Sequence, residues 1–289
     1  MPLRPFPGTR WIHQRRRGSR PPHRPDPSTW SNDRLTTAWL GHATVLLNLF
    51  GRWILTDPAL RRRVGVHFGL GTIGPRRLIP AALRPRDIPP LDVLLISHAH
   101  MDHLDYGTLR YLPRRTPVVT SRGNADLLGR FMHVEELSWG EGVEVSGIGV
   151  RAIPARHWGA RVMTARVMTD RHRGYGGFLL EYQGMRVVFA GDTAYTDRYR
   201  EIGAEAPVDL AIVPIGAYDP WIDNHASPEQ AWAMTRDLRA RYVMPVHHST
   251  FRLSREPPDE PIRRFLAAAG PERDRIVATE VGATWSLPT

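Results

Sequence analysis

The chain has 289 residues, 42% hydrophobic and 24% charged, ordinary values for a soluble globular protein long enough to bury a core. It contains no Cys, which excludes disulfides and any thiolate metal site, so a bound metal must be held by His, Asp, Glu and water. The formal charge of +10 rests on 39 basic residues that are all Arg, a bias for which a GC-rich coding sequence is the favoured explanation.

Residues 1–34 carry eight Arg, two Asp and seven Pro without helical or strand periodicity. They are expected to form a basic, poorly ordered N-terminal arm suited to contact with an anionic membrane surface. Residues 35–289 are expected to be one domain. The longest apolar runs are strand-sized, and the first 30 residues lack the apolar core of a secretory signal. The expected location is the cytoplasm, with peripheral attachment at the inner membrane surface through the arm as its alternative.

In chain order, residues 37–49 and 53–57 are β-rich, and Gly51-Arg52 between them reads as a hairpin. Residues 61–90, rich in Gly, Pro and Arg, read as a long loop near a site. Residues 91–97 form a buried strand that runs straight into a cluster of polar side chains. Further strands are predicted at 117–120, 150–154, 178–182, 186–190, 210–214 and 242–245, and helices at 104–111, 124–131, 228–239 and 258–269. Ser227-Pro228 suits an N-cap followed by Pro in the first turn. This β-rich start followed by mixed elements predicts sheets packed together with helices outside.

The cluster reads Ser97-His98-Ala99-His100-Met101-Asp102-His103. In an extended turn His98 and His100 point to one side and can grip one ion, while Asp102 and His103 come from the following turn and can grip a neighbour. Two ions about 3.5–4 Å apart can share a nucleophile and clamp the attacking and leaving oxygens. A chance match is on the order of one in a thousand, which makes a metal-free, His-rich surface loop the weaker reading. More ligands are required, and three later candidates each follow an apolar strand: His157, Asp192 after Gly191, and the pair His247-His248. Singly each is more often a cap or a packing residue. Together they repeat one arrangement, strand then polar ligand.

These residues resemble the metallo-β-lactamase superfamily, whose motif is His-x-His-x-Asp-His followed by a His, a Gly-Asp-Thr-like Asp and a final His. The resemblance implies an α+β fold, a four-layer αββα sandwich. It also implies one metal on His98, His100 and His157, a second on Asp102, His103 and His247, and Asp192 bridging both together with a hydroxide. Within the superfamily the chain is most similar to the N-acylphosphatidylethanolamine-hydrolysing phospholipase D group and its bacterial relatives. Trp39-Leu40-Gly41-His42-Ala43-Thr44, Thr56-Asp57-Pro58, Pro154-Ala155-Arg156-His157-Trp158 and Pro214-Ile215-Gly216-Ala217-Tyr218-Asp219-Pro220 carry that likeness, together with His225 ahead of Pro228-Glu229-Gln230-Ala231. The group's final His-Trp-Gly-Thr-Phe is His247-His248-Ser249-Thr250-Phe251 here, and the Thr-Phe pair sets His247 as the ligand.

The implied activity is hydrolysis of a small-molecule or lipid phosphodiester by two zinc ions, manganese or iron being accepted by the same ligands. Asp102 and His225 are the candidate catalytic residues, His225 as proton donor to a leaving group or as a phosphate contact. His42, Asp57, Tyr218 and His248 are candidates for supporting the ligands or touching substrate; for His42 and Asp57, packing and capping roles stand equally. Arg156 and Arg161 flank His157, and in an Arg-rich chain a solvated face is their favoured reading over anion binding. Lactone or amide hydrolysis, RNA processing and a non-catalytic metal-binding role are the alternatives. Nucleic acid is disfavoured as a partner, because the charge is concentrated in the arm.

Overall fold

The computed structural model describes residues 20–68, 71–161 and 173–288. The first sheet contains β1 (Leu35–Gly41), β2 (Thr44–Leu49), β3 (Arg52–Thr56), β6 (Val93–Ile96), β7 (Val118–Ser121), β8 (Val134–Leu137) and β15 (Thr284–Ser286). Its spatial order is β15-β1-β2-β3-β6-β7-β8. The second contains β9 (Gly142–Val145), β10 (Ile148–Ile153), β11 (Gly177–Tyr182), β12 (Met185–Phe189), β13 (Leu210–Pro214) and β14 (Tyr242–Val246), in the order β14-β13-β12-β11-β10-β9. A separate hairpin joins β4 (Val66–Phe68) to β5 (Gly71–Ile73). The helices are α1 (Tyr106–Leu109), α2 (Tyr199–Glu205), α3 (Pro228–Asp237) and α4 (Glu260–Ala269).

The two-residue period of the strands builds the layers. In β11, β12 and β13 the side chains of Phe178, Leu180, Val187, Phe189, Leu210 and Ile212 enter one apolar cluster, shared with Leu46, Ile54 and Leu94 of the first sheet. The alternate side chains Leu179, Val188, Ala211 and Val213 enter a second cluster with Tyr199 of α2, Trp232 and Met234 of α3 and Phe265 of α4. The second sheet is therefore apolar on both faces, one covered by the first sheet and the other by three helices. All four side chains of β6 are fully buried. Because β6 and β7 are parallel, the connection carrying α1 must cross one face of the first sheet, and Leu109, Leu127 and Leu128 cover it there. The result is the expected four-layer αββα sandwich, with a thin helical layer on the first sheet.

Several elements differ from the sequence reading. The 61–90 loop contains the β4–β5 hairpin. The helix expected at 104–111 is the single turn α1, because Asp105 caps it by accepting from Gly107 N. The helix expected at 124–131 is a 3₁₀ turn, Ala125–Leu128. Strands β8, β9 and β15 were not expected; they are half-exposed edge strands with little apolar run, β8 and β9 carrying Glu and β15 being only Thr284-Trp285-Ser286. Helix α2 was also missed, since Gly203 interrupts its pattern; a Cβ there would lie 2.1 Å from Asp237 O, so the glycine admits close packing on the end of α3.

Of the arm expected over 1–34, residues 1–19 lie outside the described residues. The expectation is corrected for residues 20–34, which are laid on the body. Trp30 stacks on Trp53 at 5.4 Å, His23 N donates to Val281 O at 3.2 Å, and Asn48 Nδ2 donates to Asn32 Oδ1 at 2.9 Å. These are an aromatic stack, a backbone hydrogen bond and an amide side-chain pair, which a count of Arg and Pro does not register. Among the described residues no helix is long and apolar enough to cross a membrane.

Candidate metal centre

Strand β2 is antiparallel to β1 and β3, and β11 is antiparallel to β10 and β12, so β1, β3 and β6 share one direction while β10, β12, β13 and β14 share another. Apart from His225, which lies on the loop before α3, the candidate ligands follow the C-terminal ends of these strands: His42 after β1, Asp57 after β3, the 98–103 cluster after β6, His157 after β10, Asp192 after β12, and His247 after β14. The isolated bridge between His98 and Tyr175 ties the two sheets at this edge. The turns there are sharp. His42, Asp57 and His247 adopt left-handed backbone with φ of 58°, 33° and 62°, a strained state for residues with a side chain and one that aims them at a common point. Gly191 sits at φ 62°, where a Cβ would lie 2.6 Å from Gly176 O and 2.8 Å from Ser97 Cβ, so only glycine lets Asp192 enter beside the cluster.

Among the described residues the candidate ligand atoms fall into four overlapping groups, of which Asp57-His98-His103 and His157-Asp192-His225 share members with the two that follow. In one, His100 Nδ1 lies 2.8 Å from His98 Nε2 and 3.3 Å from His157 Nε2. In the other, His42, Asp102, His103 and His247 converge, with Asp102 Oδ2 2.9 Å from His42 Nε2 and 3.7 Å from both His103 Nε2 and His247 Nε2. Asp192 Oδ2 lies between the groups, 3.1 Å from His103 Nε2, 3.2 Å from His247 Nε2 and 3.9 Å from His157 Nε2.

One buried carboxylate orients ligands in both groups. Asp57 accepts from Ser97 N at 2.7 Å, from Ser97 Oγ at 2.5 Å and from His103 Nδ1 at 2.6 Å. The Ser97 hydroxyl proton is thereby committed, so Ser97 Oγ accepts from His98 Nδ1 at 2.8 Å. Both His98 and His103 consequently turn Nε2 toward the centre, the atom that would ligate a metal once free of its proton. His157 Nδ1 donates to Asn224 O at 2.9 Å with the same effect. His103 Nε2, His247 Nε2 and Asp192 Oδ1 are buried without a hydrogen-bond partner. Orphaned imidazole and carboxylate atoms facing one another, in a chain without Cys, form the donor set of a divalent metal site, and zinc, manganese or iron would fit it.

Charge is finely divided here. Burial opposes protonation of His247, but Asp192 and Asp102 outweigh it and push the ring up to about 9. Burial likewise opposes a charge on His103, and Asp192, Asp102 and Asp57 hold it well above the usual histidine range. Burial would raise the Asp192 and Asp102 carboxyls, yet His103 and its neighbouring histidines hold both well below the usual range. Burial and adjacent rings push His42 and His100 down to about 3. The centre thus pairs two anionic carboxylates with two imidazoles, His103 and His247, that they draw toward protonation, and a divalent ion would take the place of those protons.

Among the secondary candidates, His42 joins the second ligand group and Asp57 is the orienting carboxylate just described. His225 enters the site edge, its Nδ1 3.8 Å from Asp192 Oδ2 and its ring 4.9 Å from that of His157. His248 belongs to none of the ligand groups; its ring stacks on Trp39 at 4.5 Å, and Trp39 Nε1 donates to His42 O at 2.7 Å, so the pair supports the His42 turn. Tyr218 donates its hydroxyl to Glu260 at 2.8 Å and is committed to the start of α4. Arg156 is exposed and reaches Asp223 at 3.3 Å. Arg161 departs from its favoured solvated reading: it is buried and donates to the carbonyls of Ala99 and Leu104, both at 2.8 Å, clamping the ligand loop from outside. Sequence reasoning missed Ser97, whose signal was adjacency to the motif. It also missed Asn224, which acts through a backbone carbonyl that any residue could supply.

Comparisons with known proteins bear on family and fold. The Beta-lactamase superfamily domain matches residues 52–248. An uncharacterized protein of Mycobacterium tuberculosis is 34% identical over 250 residues, covering 83% of this chain, and the chain spans 65% of that relative's length. The N-acyl-phosphatidylethanolamine-hydrolyzing phospholipase D 1 of Caenorhabditis elegans is 30% identical over 280 residues, 88% of this chain and 76% of that protein. Among solved structures, a possible metal-dependent hydrolase of Veillonella parvula superposes with a TM-score of 0.70 at 19% identity, covering 88% of this chain and all (100%) of that one, a likeness of fold. With the family model matched over more than half of the chain and the candidate ligands assembled at the strand ends, the chain belongs to the β-lactamase superfamily and has the metallo-β-lactamase fold.

Proposed function

We propose that the protein hydrolyses a phosphodiester at a dinuclear metal centre, with zinc as its first metal and a lipid or small-molecule ester as substrate. The observation that carries this reading is the position of Asp192 Oδ2, within 3.1–3.9 Å of ligand nitrogens from both groups, where one carboxylate can bridge two ions. When bound, the ion pair supplies an acidified water as nucleophile and positive charge for the developing oxyanion. The phosphodiester preference rests on the relatives named for N-acyl-phosphatidylethanolamine hydrolysis.

The chain's own residues do the positioning. Asp57 and Ser97 hold two ligand rings in the tautomer that leaves Nε2 free. Asp102 ties His42 to the second group. Burial pushes His225 down to about 3, so at neutral pH it carries one ring proton. That favours an N–H hydrogen bond to a phosphate oxygen over delivery of a proton to the leaving group. Trp158, half-exposed with its ring edge-on to His100 at 4.4 Å, walls the mouth of the centre.

The test is metal content and turnover on one purified sample, using bis-p-nitrophenyl phosphate, an N-acylphosphatidylethanolamine, a lactone panel and RNA. About two equivalents of metal and preferential phosphodiester turnover, both lost in Asp102→Ala, are expected. Preferential lactone or amide turnover would replace the substrate assignment, RNA cleavage would restore the nuclease reading, and a protein that binds no metal would remove the whole proposal.

A further inference from the structure

A second polar cavity lies outside the metal centre. It is a cleft of about 380 Å³ lined by Arg61, Arg62, Arg63, Arg110, His67 and Thr72, and it includes none of the metal-ligand candidates. Three elements build it. The 61–63 run follows the turn after β3, Arg110 caps the C-terminal end of α1, and His67 and Thr72 are register partners across the β4–β5 hairpin. Arg63 Nη1 is anchored on Gly74 O at 2.8 Å, which holds the hairpin against the arginine run.

Its charge is uncompensated. No carboxylate lines the cleft, and none of its four arginines forms an ion pair among the described residues. Asp105, the acid whose charge Arg61 feels, is engaged in capping α1, accepting from Gly107 N at 3.1 Å and Thr108 Oγ1 at 2.7 Å. Arg61 Nη1 and Arg110 Nη2 both converge on the Tyr111 hydroxyl oxygen, at 3.4 and 3.2 Å. Their guanidinium carbons lie 5.9 and 5.0 Å from the centroid of the same ring. Some exposed arginines elsewhere have acids beside them, as in Arg84–Asp87, Arg151–Glu205, Arg200–Asp237 and Arg264–Glu229, and others such as Arg114 and Arg122 do not, among the described residues; what sets this cleft apart is four arginines lining one cavity.

Guanidinium forks held together without acids lower their mutual repulsion by taking an anion with several oxygens in fixed geometry, and phosphoryl groups match the fork bidentately. One phosphate leaves most of four cations unanswered. Two linked phosphoryl groups, with about three to four negative charges, answer them, and the cleft volume lies within the range of small-ligand sites. We propose that the cleft formed by Arg61, Arg62, Arg63 and Arg110 binds a diphosphate group, either free or as an ester, at a site separate from the metal centre.

Calorimetric titration of the metal-loaded protein with inorganic pyrophosphate tests this, alongside co-sedimentation with phosphatidylcholine vesicles doped with diacylglycerol pyrophosphate. The two arms distinguish a soluble from a lipid-borne diphosphate. Binding in either arm should weaken by about tenfold or more in the double variant Arg62→Ser/Arg110→Ser, since each lost charge-assisted contact is worth on the order of a factor of ten. Both residues are on the surface, and metal content and turnover of bis-p-nitrophenyl phosphate should remain those of the parent. Thr72→Asp, which places a carboxylate in the cleft and leaves every arginine in place, should weaken binding similarly. Pyrophosphate binding that is unchanged in both variants would locate the ligand at the metals and overturn the proposal. So would a parent protein that binds neither pyrophosphate nor the doped vesicles.

Discussion

Asp57 is the residue on which the geometry of the centre turns. Its two oxygens receive Ser97 N, Ser97 Oγ and His103 Nδ1, and through Ser97 it governs His98. Asp57→Asn places an amide donor opposite one of those donors and loosens a ligand in each group. Metal affinity, read by competition with a chromogenic chelator, should fall about 10- to 100-fold; an unchanged affinity would mean the ligands orient themselves. The protonation of His247 yields a second prediction. Burial works against the charged ring, but Asp192 and Asp102 raise it from 6.5 to about 9. In metal-free protein the protonated ring contributes stability that is fully present below about 6.5 and lost as pH rises through about 9. Metal must displace that proton. Calorimetry of metal uptake near neutral pH, in buffers of different ionisation enthalpy, should therefore report proton release, and metal affinity should fall as the pH is lowered.

At the scale of elements, local signals and tertiary clamps divide the labour. Helix α3 starts with a capping box: Gln230 N donates to Ser227 Oγ at 3.3 Å and Ser227 N donates to Gln230 Oε1 at 3.0 Å. Ser227→Ala should cost about 1 kcal/mol, measured as a lowered midpoint of urea unfolding, with metal content unaffected. The 98–103 loop has no such local device. Arg161 holds it through Ala99 O and Leu104 O, and Arg161→Ala leaves both carbonyls without their charged donor. A loss of about 2–3 kcal/mol is expected, together with metal loss on dialysis; Arg161→Lys should retain part of both. A variant with parental stability and metal content would show that the clamp is dispensable. Ser227-Pro228 was legible in the sequence because a cap is written within three residues. Arg161 was not, because its acceptors lie 62 and 57 positions away.

The whole molecule is two sheets with ligands from each. His42 and the 98–103 cluster come from the first sheet, and His157, Asp192 and His247 from the second. Bound metal therefore crosslinks the sandwich at one edge, and chelation should lower the thermal midpoint as well as abolish activity. The N-terminal approach is part of the same body. Trp30→Ala removes the stack on Trp53 and should destabilise by about 1–2 kcal/mol; no change in urea unfolding would return residues 20–34 to the status of a dangling arm. The sequence alone determined the strands of the double-layer core, because a period of two and runs of Val, Leu and Ile are local properties. It singled out most of the candidate ligands too, since a strand followed by His or Asp recurs at each of them. Only the tertiary structure decided that Asp57 serves one ligand in each group and that Tyr218 is tied to α4. It also decided that edge strands β8, β9 and β15 exist at all. These outcomes depend on which strand ends meet across the sandwich, a long-range closure that pattern and propensity do not encode.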